Sequence, residues 1–281
     1  MQSLSQPTLL SHVRALWAVA WKDWKHYWRY PLNVISQIFQ PLVWLVPVFF
    51  MGQVFSVDGE ARGFAGYSGS GDYMSFILLG TALNNFIFAV FWGMGYALKN
   101  DMDTGTLEAN WLLPIPRLLL LVGHTLTSLV TTAITVAAMI AAGALFFGFR
   151  PGGNVWAALL TLLPMLIGLY GFGFAFAALV MILREANTLV DVSSFLVNVF
   201  SGASFPVTAL PRWLLPLALA LPLTYGFDAV RGYLLGTRTL LPLNVEAALL
   251  VVFMVVMLAF GVAAFRALER RVRQMGTLGQ H

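Results

Sequence analysis

The sequence predicts an all-α integral membrane protein with six transmembrane helices. Of its 281 residues, 59% are hydrophobic and 10% are charged, whereas a soluble domain has roughly 45–50% apolar and about 25% charged residues. Apolar runs long enough to cross a bilayer recur along the chain. Basic residues gather at the ends of these runs, where they set topology. The chain has no cysteine, which excludes disulfides, thiolate metal sites and a cysteine nucleophile.

Residues 9–30 predict an amphipathic helix that lies in the membrane interface. Apolar and aromatic side chains recur there at helical spacing, from Leu9 to Trp24, and basic residues such as Lys22 and Lys25 alternate with them. Such a segment lies along a membrane rather than across it. It is either a basic topology anchor or a surface that also receives a partner protein. The polar start of the chain predicts no cleaved signal peptide.

Six apolar runs predict the membrane spans. Their ranges are 32–55, 73–98, 118–147, 155–183, 188–205 and 244–265. Each is long enough, or nearly long enough, for a hydrocarbon core of about 30 Å. Pro41 and Pro47 should kink the first span, which is tolerated where neighbouring helices satisfy the freed carbonyl groups.

Residues 206–236, which we name the gate hairpin, predict either a seventh span or a pair of short re-entrant helices. Six spans place eleven basic residues inside and five outside, whereas a seventh would move the four tail arginines outside. The positive-inside rule therefore favours six spans with both termini cytoplasmic. We expect a multi-pass protein of the plasma (bacterial inner) membrane. Proline-broken backbone at membrane depth lies in protein or lines a cavity, so the hairpin is a candidate outer gate. The candidate gate residues are Phe205, Pro206, Pro211, Pro222, Tyr225, Asp228 and Arg231. Asp228 and Arg231, three residues apart on a predicted short helix, predict a local ion pair that stabilises the hairpin, with substrate contact as the alternative role.

The loop between the second and third spans predicts a short, rigid helix at the membrane surface. Gly105 can cap it, and Glu108 lies in its first turn, where a negative charge suits the helix N-terminus. Pro114 and Pro116 end the helix. A short, rigid helix of this kind is typical of a segment that another protein contacts and moves.

Two stretches of the sequence resemble type-2 ABC exporter permeases. The first is Gly-Thr-Leu-Glu at 105–108 followed by Pro-Ile-Pro-Arg at 114–117. The second is Ser-Gly-Ala-Ser-Phe-Pro at 201–206, followed by Leu-Pro-Arg-Trp at 210–213, Leu-Pro-Leu-Thr-Tyr at 221–225 and Ala-Val-Arg at 229–231. The resemblance implies that the first loop is a coupling helix, which docks on an ATP-binding subunit. The residues that it implies for this contact are Asp103, Thr104, Gly105, Thr106, Leu107, Glu108, Trp111, Pro114 and Arg117.

The resemblance also implies ATP-driven export by a permease dimer bound to two copies of an ABC ATP-binding subunit. A Walker A loop needs Gly-Lys before Ser or Thr, and none of the three lysines, at 22, 25 and 99, follows a glycine. We therefore predict no enzyme activity and no cofactor in this chain, with ATP and Mg on the partner subunit. The histidines show no metal-type spacing, so no metal site is predicted. The further predicted partners are a second permease chain, identical or different, and membrane lipid. The net charge of +4 is not a nucleic-acid signal, because the excess lies at span ends.

Five polar residues on the fifth span form a stripe with steps of four and three residues. They are Asn187, Asp191, Ser194, Asn198 and Ser201. This spacing places them on one side of a helix. They either form hydrogen bonds between helices, with Asp191 at the inner interface, or line a substrate path at the dimer interface. Asn84 and Asn85 in the second span leave the same choice.

Two other function classes compete with an ABC permease. An ion-coupled secondary transporter usually shows internal repeats and paired broken helices, whereas this chain has one broken segment. A membrane-embedded enzyme needs a catalytic cluster, and the sequence shows none. Abundant aromatic residues and few intramembrane charges favour a hydrophobic or amphipathic cargo, such as a drug, lipid or glycolipid.

Overall fold

The computed structural model describes residues 9–55, 61–94, 117–183 and 186–275, and this part of the chain is helical, with no strand. The predicted all-α class is confirmed. The helices in chain order are α1 (Leu9–Arg29), α2 (Pro31–Phe55), α3 (Arg62–Ser68), α4 (Tyr73–Phe88), α5 (Arg117–Phe146), α6 (Val155–Leu183), α7 (Ala186–Phe200), α8 (Leu215–Leu219), α9 (Pro222–Leu235) and α10 (Leu243–Met275). A π-helical segment, Ala89–Met94, continues α4, and a 3-10 turn, Val207–Ala209, follows α7.

Five of the described helices, α2, α4, α5, α6 and α10, are long and apolar enough to cross a membrane. The predicted fifth span, 188–205, corresponds to α7, which has only 15 residues. At a rise of 1.5 Å per residue it is about 22 Å long, shorter than a hydrocarbon core of about 30 Å. The predicted sixth span, 244–265, lies within the 33 residues of α10, because the helix continues past the apolar run into the arginine-rich tail.

Helices α4 and α6 form the centre of the molecule. Most of the side chains along each are buried by their neighbours, whereas few of those along α2, α5 and α10 are buried. Glycines bring α6 and α10 close together, since a Cβ at Gly261 would overlap the carbonyl oxygen of Gly171. Small residues at such crossings allow helix backbones to approach closely in lipid.

Helix α1 packs against α5, close to the end where α5 begins. The hydroxyl of Thr127 donates to the carbonyl oxygen of Ala20 over 3.2 Å, and Nδ1 of His124 lies 2.5 Å from a carboxyl oxygen of Asp23. On the exposed side, Trp17 and Trp21 stack on each other with ring centroids 6.1 Å apart. An aromatic, basic helix held in this way suits the membrane interface.

The loops and short helices at the opposite end of the molecule pack on one another. We name this the hairpin end. The amide of Arg238 donates to the carbonyl of Ser68 over 2.8 Å, and the amide of Asn154 donates to Tyr233 over 2.9 Å. The first bond joins the loop after the gate hairpin to the end of α3, and the second joins the gate hairpin to the loop before α6. The sequence did not predict α3, which ends at Gly69 in the left-handed conformation at φ 74°, where glycine is unstrained.

The predicted coupling helix lies outside the described residues. This applies to Asp103, Thr104, Gly105, Thr106, Leu107, Glu108, Trp111 and Pro114, while Arg117 is the first residue of α5. The predicted second span, 73–98, is described up to Met94. Its last described turn is π-helical, a form that is frequent at functional sites.

Candidate functional site

A cavity of about 1020 Å³ lies between α2, α4, α5 and α7. Its lining comes from four of the predicted spans and from the turn after α7. The lining residues are Gln37, Gln40, Pro41, Trp44, Leu45, Val48, Tyr73, Ile77, Thr81, Asn84, Asn85, Phe88, Ala89, Trp92, Gly93, Ser128, Thr131, Thr132, Thr135, Asn198, Ala203 and Ser204. None of these side chains carries a formal charge. The volume lies at the upper end of the range for ligand sites, about 300–1,000 Å³.

Carboxamides, hydroxyls and aromatic rings give the cavity its chemistry. Nδ2 of Asn85 donates to the carbonyl oxygen of Thr81 over 2.8 Å, which leaves its side-chain oxygen as an acceptor. The hydroxyl of Thr135 donates to the carbonyl of Thr131 in its own helix over 3.2 Å, so its lone pairs can accept. Trp44 is 71% exposed and offers a flat apolar surface. The cavity can therefore hold an uncharged molecule with both aromatic and hydrogen-bonding groups.

The five residues of the predicted stripe do not share one environment. Asn198 is half-buried and lines the cavity. Asn187 and Asp191 are exposed. Ser194 is buried and donates to the carbonyl of Val190 in its own helix, and Ser201 lies fully buried beyond the end of α7. Within the described residues, only Asn198 among the five borders the large cavity.

A buried arginine fastens the gate hairpin to the centre of the molecule. Arg231 in α9 is 2% exposed. Its Nη1 donates to the carbonyl of Gly202 over 2.6 Å, its Nη2 to Ala203 over 2.7 Å, and its Nε to Phe76 over 3.2 Å. Its guanidinium carbon also lies 3.5 Å from the centroid of the Phe76 ring. One side chain thus joins α9, the turn after α7, and α4.

Glycine at position 80 makes room for this arrangement. A Cβ at Gly80 would overlap both the carbonyl oxygen of Ala203 and Nη2 of Arg231. Gly202 has φ 76°, a conformation that glycine adopts without strain. The carbonyls of the turn therefore point at the guanidinium because two glycines permit the close approach.

The predicted ion pair between Asp228 and Arg231 is wrong. Arg231 uses its donors on three backbone carbonyls, and no salt bridge joins the two side chains in the described part of the chain. Asp228 instead accepts from the amide of Leu240 over 2.5 Å. Burial raises the pKa of the Asp228 carboxyl, although the Leu240 amide, Glu246 and the charge of Arg231 oppose the rise.

Glu246, in the first turn of α10, is a residue that the sequence did not single out. It is 0% exposed, and its Oε1 accepts from the amide of Leu241 over 3.1 Å. The only feature of the sequence that could have indicated Glu246 is that it is a single acid at the start of an otherwise apolar run. That position alone does not distinguish a buried carboxyl from one that complements the helix N-terminus.

The remaining candidate gate residues shape the hairpin backbone. Pro206 is buried, Phe205 is half-buried and Pro211 is exposed. Pro222 is the first residue of α9, where the missing amide hydrogen costs nothing. The hydroxyl of Tyr225 donates to the carbonyl of Leu219 over 2.9 Å and holds α8 beside α9. Among the described residues, no group of three or more histidines and acids could hold a metal ion.

Comparison with known proteins gives matches over most of the chain. A family model described as "ABC-2 type transporter" matches residues 14–235. The "Probable doxorubicin resistance ABC transporter permease protein DrrC" of two Mycobacterium tuberculosis strains is 27% identical over 186 residues, or 63% of this chain and 62% of the relative. The chain thus spans less than two thirds of the length of these relatives. The "Daunorubicin resistance ABC transporter permease protein DrrB1" of Streptomyces coeruleorubidus is 23% identical over 260 residues, which are 88% of this chain and 86% of the relative.

Proposed function

The chain belongs to the ABC-2 type transporter family, and from this premise we propose that it forms the translocation pathway of an ATP-driven exporter. The observation that carries the proposal is the uncharged, aromatic and carboxamide-rich cavity between α2, α4, α5 and α7. A cavity in the middle of apolar spans is where a cargo would pass between the two sides of a membrane.

The working unit is a dimer of permease chains, identical or different. Helix α2 borders the cavity yet exposes a broad apolar and aromatic face, on which Phe39, Val43 and Phe50 are each more than half exposed. A second chain against this face would close the cavity on its open side. The exposed apolar side chains of α7, such as Phe195, extend the same kind of surface.

Energy comes from a separate ABC ATP-binding subunit, present in two copies, which binds ATP and Mg. The sequence has no Gly-Lys of a Walker A loop, and the loop at 101–117 carries the acid-tipped, proline-ended pattern of a coupling helix. Residues 95–116, which include this loop, connect the π-helical end of α4 to α5. A push on this loop would therefore move two helices that line the cavity.

The chain lies in the plasma membrane with both termini cytoplasmic and crosses it six times. This layout places most basic residues on the cytoplasmic side, as the positive-inside rule requires. They are those of the N-terminal helix and of the tail, together with Lys99 and Arg117. The gate hairpin lies on the other side. In this layout α6 ends on the cytoplasmic side and the gate hairpin lies on the outer side. Helix α7 connects the two, so it is the fifth span although it is short.

The cargo is an uncharged or weakly charged amphipathic compound with aromatic and hydrogen-bonding groups. An ionised group gains no compensating charge from the lining residues, and desolvating it without a partner is costly. Tryptophan and tyrosine faces stack on planar apolar molecules, while carboxamides and hydroxyls fix their orientation. That relatives carry names for doxorubicin and daunorubicin resistance supports a drug-like cargo.

Paired tryptophan substitutions test the proposed cargo site. We expect Trp44→Leu to raise the KM for export of a neutral aromatic fluorescent compound about two- to tenfold, because stacked aromatic contacts contribute about 0.5–1.5 kcal/mol. Trp156→Leu is the control, because Trp156 is 78% exposed in α6 and lies outside the cavity lining. The assay measures ATP-dependent uptake into inside-out vesicles that contain the ATP-binding subunit, with an ionophore present to remove ion gradients. Equal KM values for the two variants would place the cargo elsewhere.

A further inference from the structure

Two carboxyl groups from different helices bind two adjacent amides of one loop. Asp228 of α9 accepts from the amide of Leu240, and Glu246 of α10 accepts from the amide of Leu241. Because adjacent amides of one chain segment lie a few ångströms apart, the two carboxyl groups that bind them lie close together. The loop at 236–242 is therefore held between a carboxyl on each side, at the hairpin end of the molecule.

Glu246 is fully buried and Asp228 is half-buried, and one carboxyl oxygen of the pair lacks a hydrogen-bond donor. Glu246 is 0% exposed, and its Oε2 has no donor within hydrogen-bond distance in the described part of the chain. A buried carboxylate oxygen without a donor carries a full desolvation penalty. If one of the two acids is protonated, its O–H donates to the other, and two like charges become one. A single proton thus supplies the missing hydrogen-bond donor and also removes the repulsion between the two carboxylates.

The charged groups around the pair do not replace that proton. Arg231 lies one turn beyond Asp228 on α9, but three of its N–H groups donate to backbone carbonyls, and within the described residues it forms no salt bridge with Asp228. Arg238 in the loop is exposed and lines, with Tyr67, Asp228 and Arg231, a small cavity of about 200 Å³. Helix α6, which packs against both α9 and α10, has no charged residue from 155 to 183. Arg150, in the loop before α6, is exposed.

We propose that Asp228 and Glu246 form a proton-binding site that fastens the gate hairpin to α10. The proton is bound as one O–H on one carboxyl, hydrogen-bonded to the other, and is released to water through the small cavity that Asp228 lines. Its release leaves two facing carboxylates that repel each other, which loosens the loop at 236–242 and the hairpin. The site thus makes the attachment of the hairpin depend on the pH at the hairpin end. This inference goes beyond the proposed transport and does not depend on the cargo or on ATP.

Infrared difference spectroscopy of the purified chain in nanodiscs tests for the proton directly. We expect a carboxylic-acid band at pH 6 that disappears on titration to alkaline pH. The band should be lost in Glu246→Gln and in Asp228→Asn. It should persist in Glu269→Gln, the matched control at the other end of α10. A wild-type chain without a carboxylic-acid band at pH 6 would overturn the proposal, as would a band unchanged in both pair variants.

Hydrogen exchange measured by mass spectrometry tests the mechanical consequence. Glu246→Gln keeps the acceptor for Leu241 and supplies an amide donor toward Asp228, so it imitates the protonated pair and should fold. After correction for intrinsic exchange rates, peptides covering 236–246 should exchange faster at pH 8 than at pH 6 in the wild type. They should exchange equally at both pH values in Glu246→Gln. Equal corrected protection at pH 6 and pH 8 in the wild type would show that the proton does not fasten the hairpin.

Discussion

Replacing Arg231 by lysine should destabilise the protein although the charge is kept. The guanidinium reaches three carbonyls in three directions, whereas an ammonium group on a different stem cannot reproduce that planar fork. The carbonyl of Phe76 also has a helical partner, so the loss falls mainly on Gly202 and Ala203. A hydrogen bond from a charged donor contributes about 1.5–3 kcal/mol, which gives about 3–6 kcal/mol for the two.

Thermal unfolding of the purified chain in detergent or nanodiscs measures this loss. For chains of about this size each kcal/mol corresponds to about 2–4 °C in Tm, so Arg231→Lys should lower the Tm by at least about 6 °C. The control is Arg212→Lys, since Arg212 is an exposed arginine of the same gate hairpin and should keep the wild-type Tm. If Arg231→Lys unfolds within about 2 °C of the wild type, Arg231 does not fasten the hairpin.

Two further predictions concern packing and topology. In the same thermal assay, Gly80→Ala should lower stability by about 1–3 kcal/mol, the usual cost of overpacking. Gly66→Ala is the control and should keep the wild-type Tm, because Gly66 has open space around it. Equal Tm values for the two variants would contradict the close approach at Gly80. In this cysteine-free chain, a cysteine at Gly66 should react with an impermeant maleimide on intact cells and one at Gly276 only after permeabilisation. Reaction at Gly276 in intact cells would reject the six-span layout.

The helices of this protein follow closely from its sequence because apolar runs and prolines act locally. Helix α6 spans Val155–Leu183, the range that the sequence predicts. Helix α10, the longest at 33 residues, continues well past the predicted end of its apolar run at 265. An apolar run marks where a helix leaves the membrane, and the helix itself continues as long as helix-forming residues follow. The positions 269–273 supply such residues.

The site could be predicted only in part, because its contacts join distant parts of the chain. The spacing of Asp228 and Arg231 predicted a local pair, but the partners of Arg231 are backbone carbonyls 28, 29 and 155 residues away. A backbone carbonyl is present at every residue, so the pattern of side chains cannot indicate which carbonyl accepts a hydrogen bond. Likewise, the spacing on α7 predicted polar residues on one helix side, yet only Asn198 of them lines the cavity. The rest of the lining comes from three other helices and from the turn after α7.

In the proposed transporter the loop at 101–117 would connect the ATP-binding subunit to the cavity, and Glu108 is its most informative residue. If its carboxylate only complements the helix N-terminus, it contributes about 0.3–1 kcal/mol. If it pairs with a basic group of the ATP-binding subunit at a buried contact, its loss costs about 2–5 kcal/mol. We expect the second case, with Asp103 as the milder site because it precedes the predicted helix.

Cargo-stimulated ATP hydrolysis in proteoliposomes tests the central claim most directly. The chain is reconstituted with its ATP-binding subunit as wild type, Glu108→Gln or Asp103→Asn, and co-purification of the two subunits is measured in parallel. We predict that wild type and Asp103→Asn show stimulated hydrolysis together with cargo uptake. The Glu108→Gln chain should remain folded in the membrane but lose the stimulation or bind the ATP-binding subunit more weakly. Wild-type coupling in Glu108→Gln, or cargo transport by the permease without any ATP-binding subunit, would contradict the claim that a separate ATPase drives this protein through that loop.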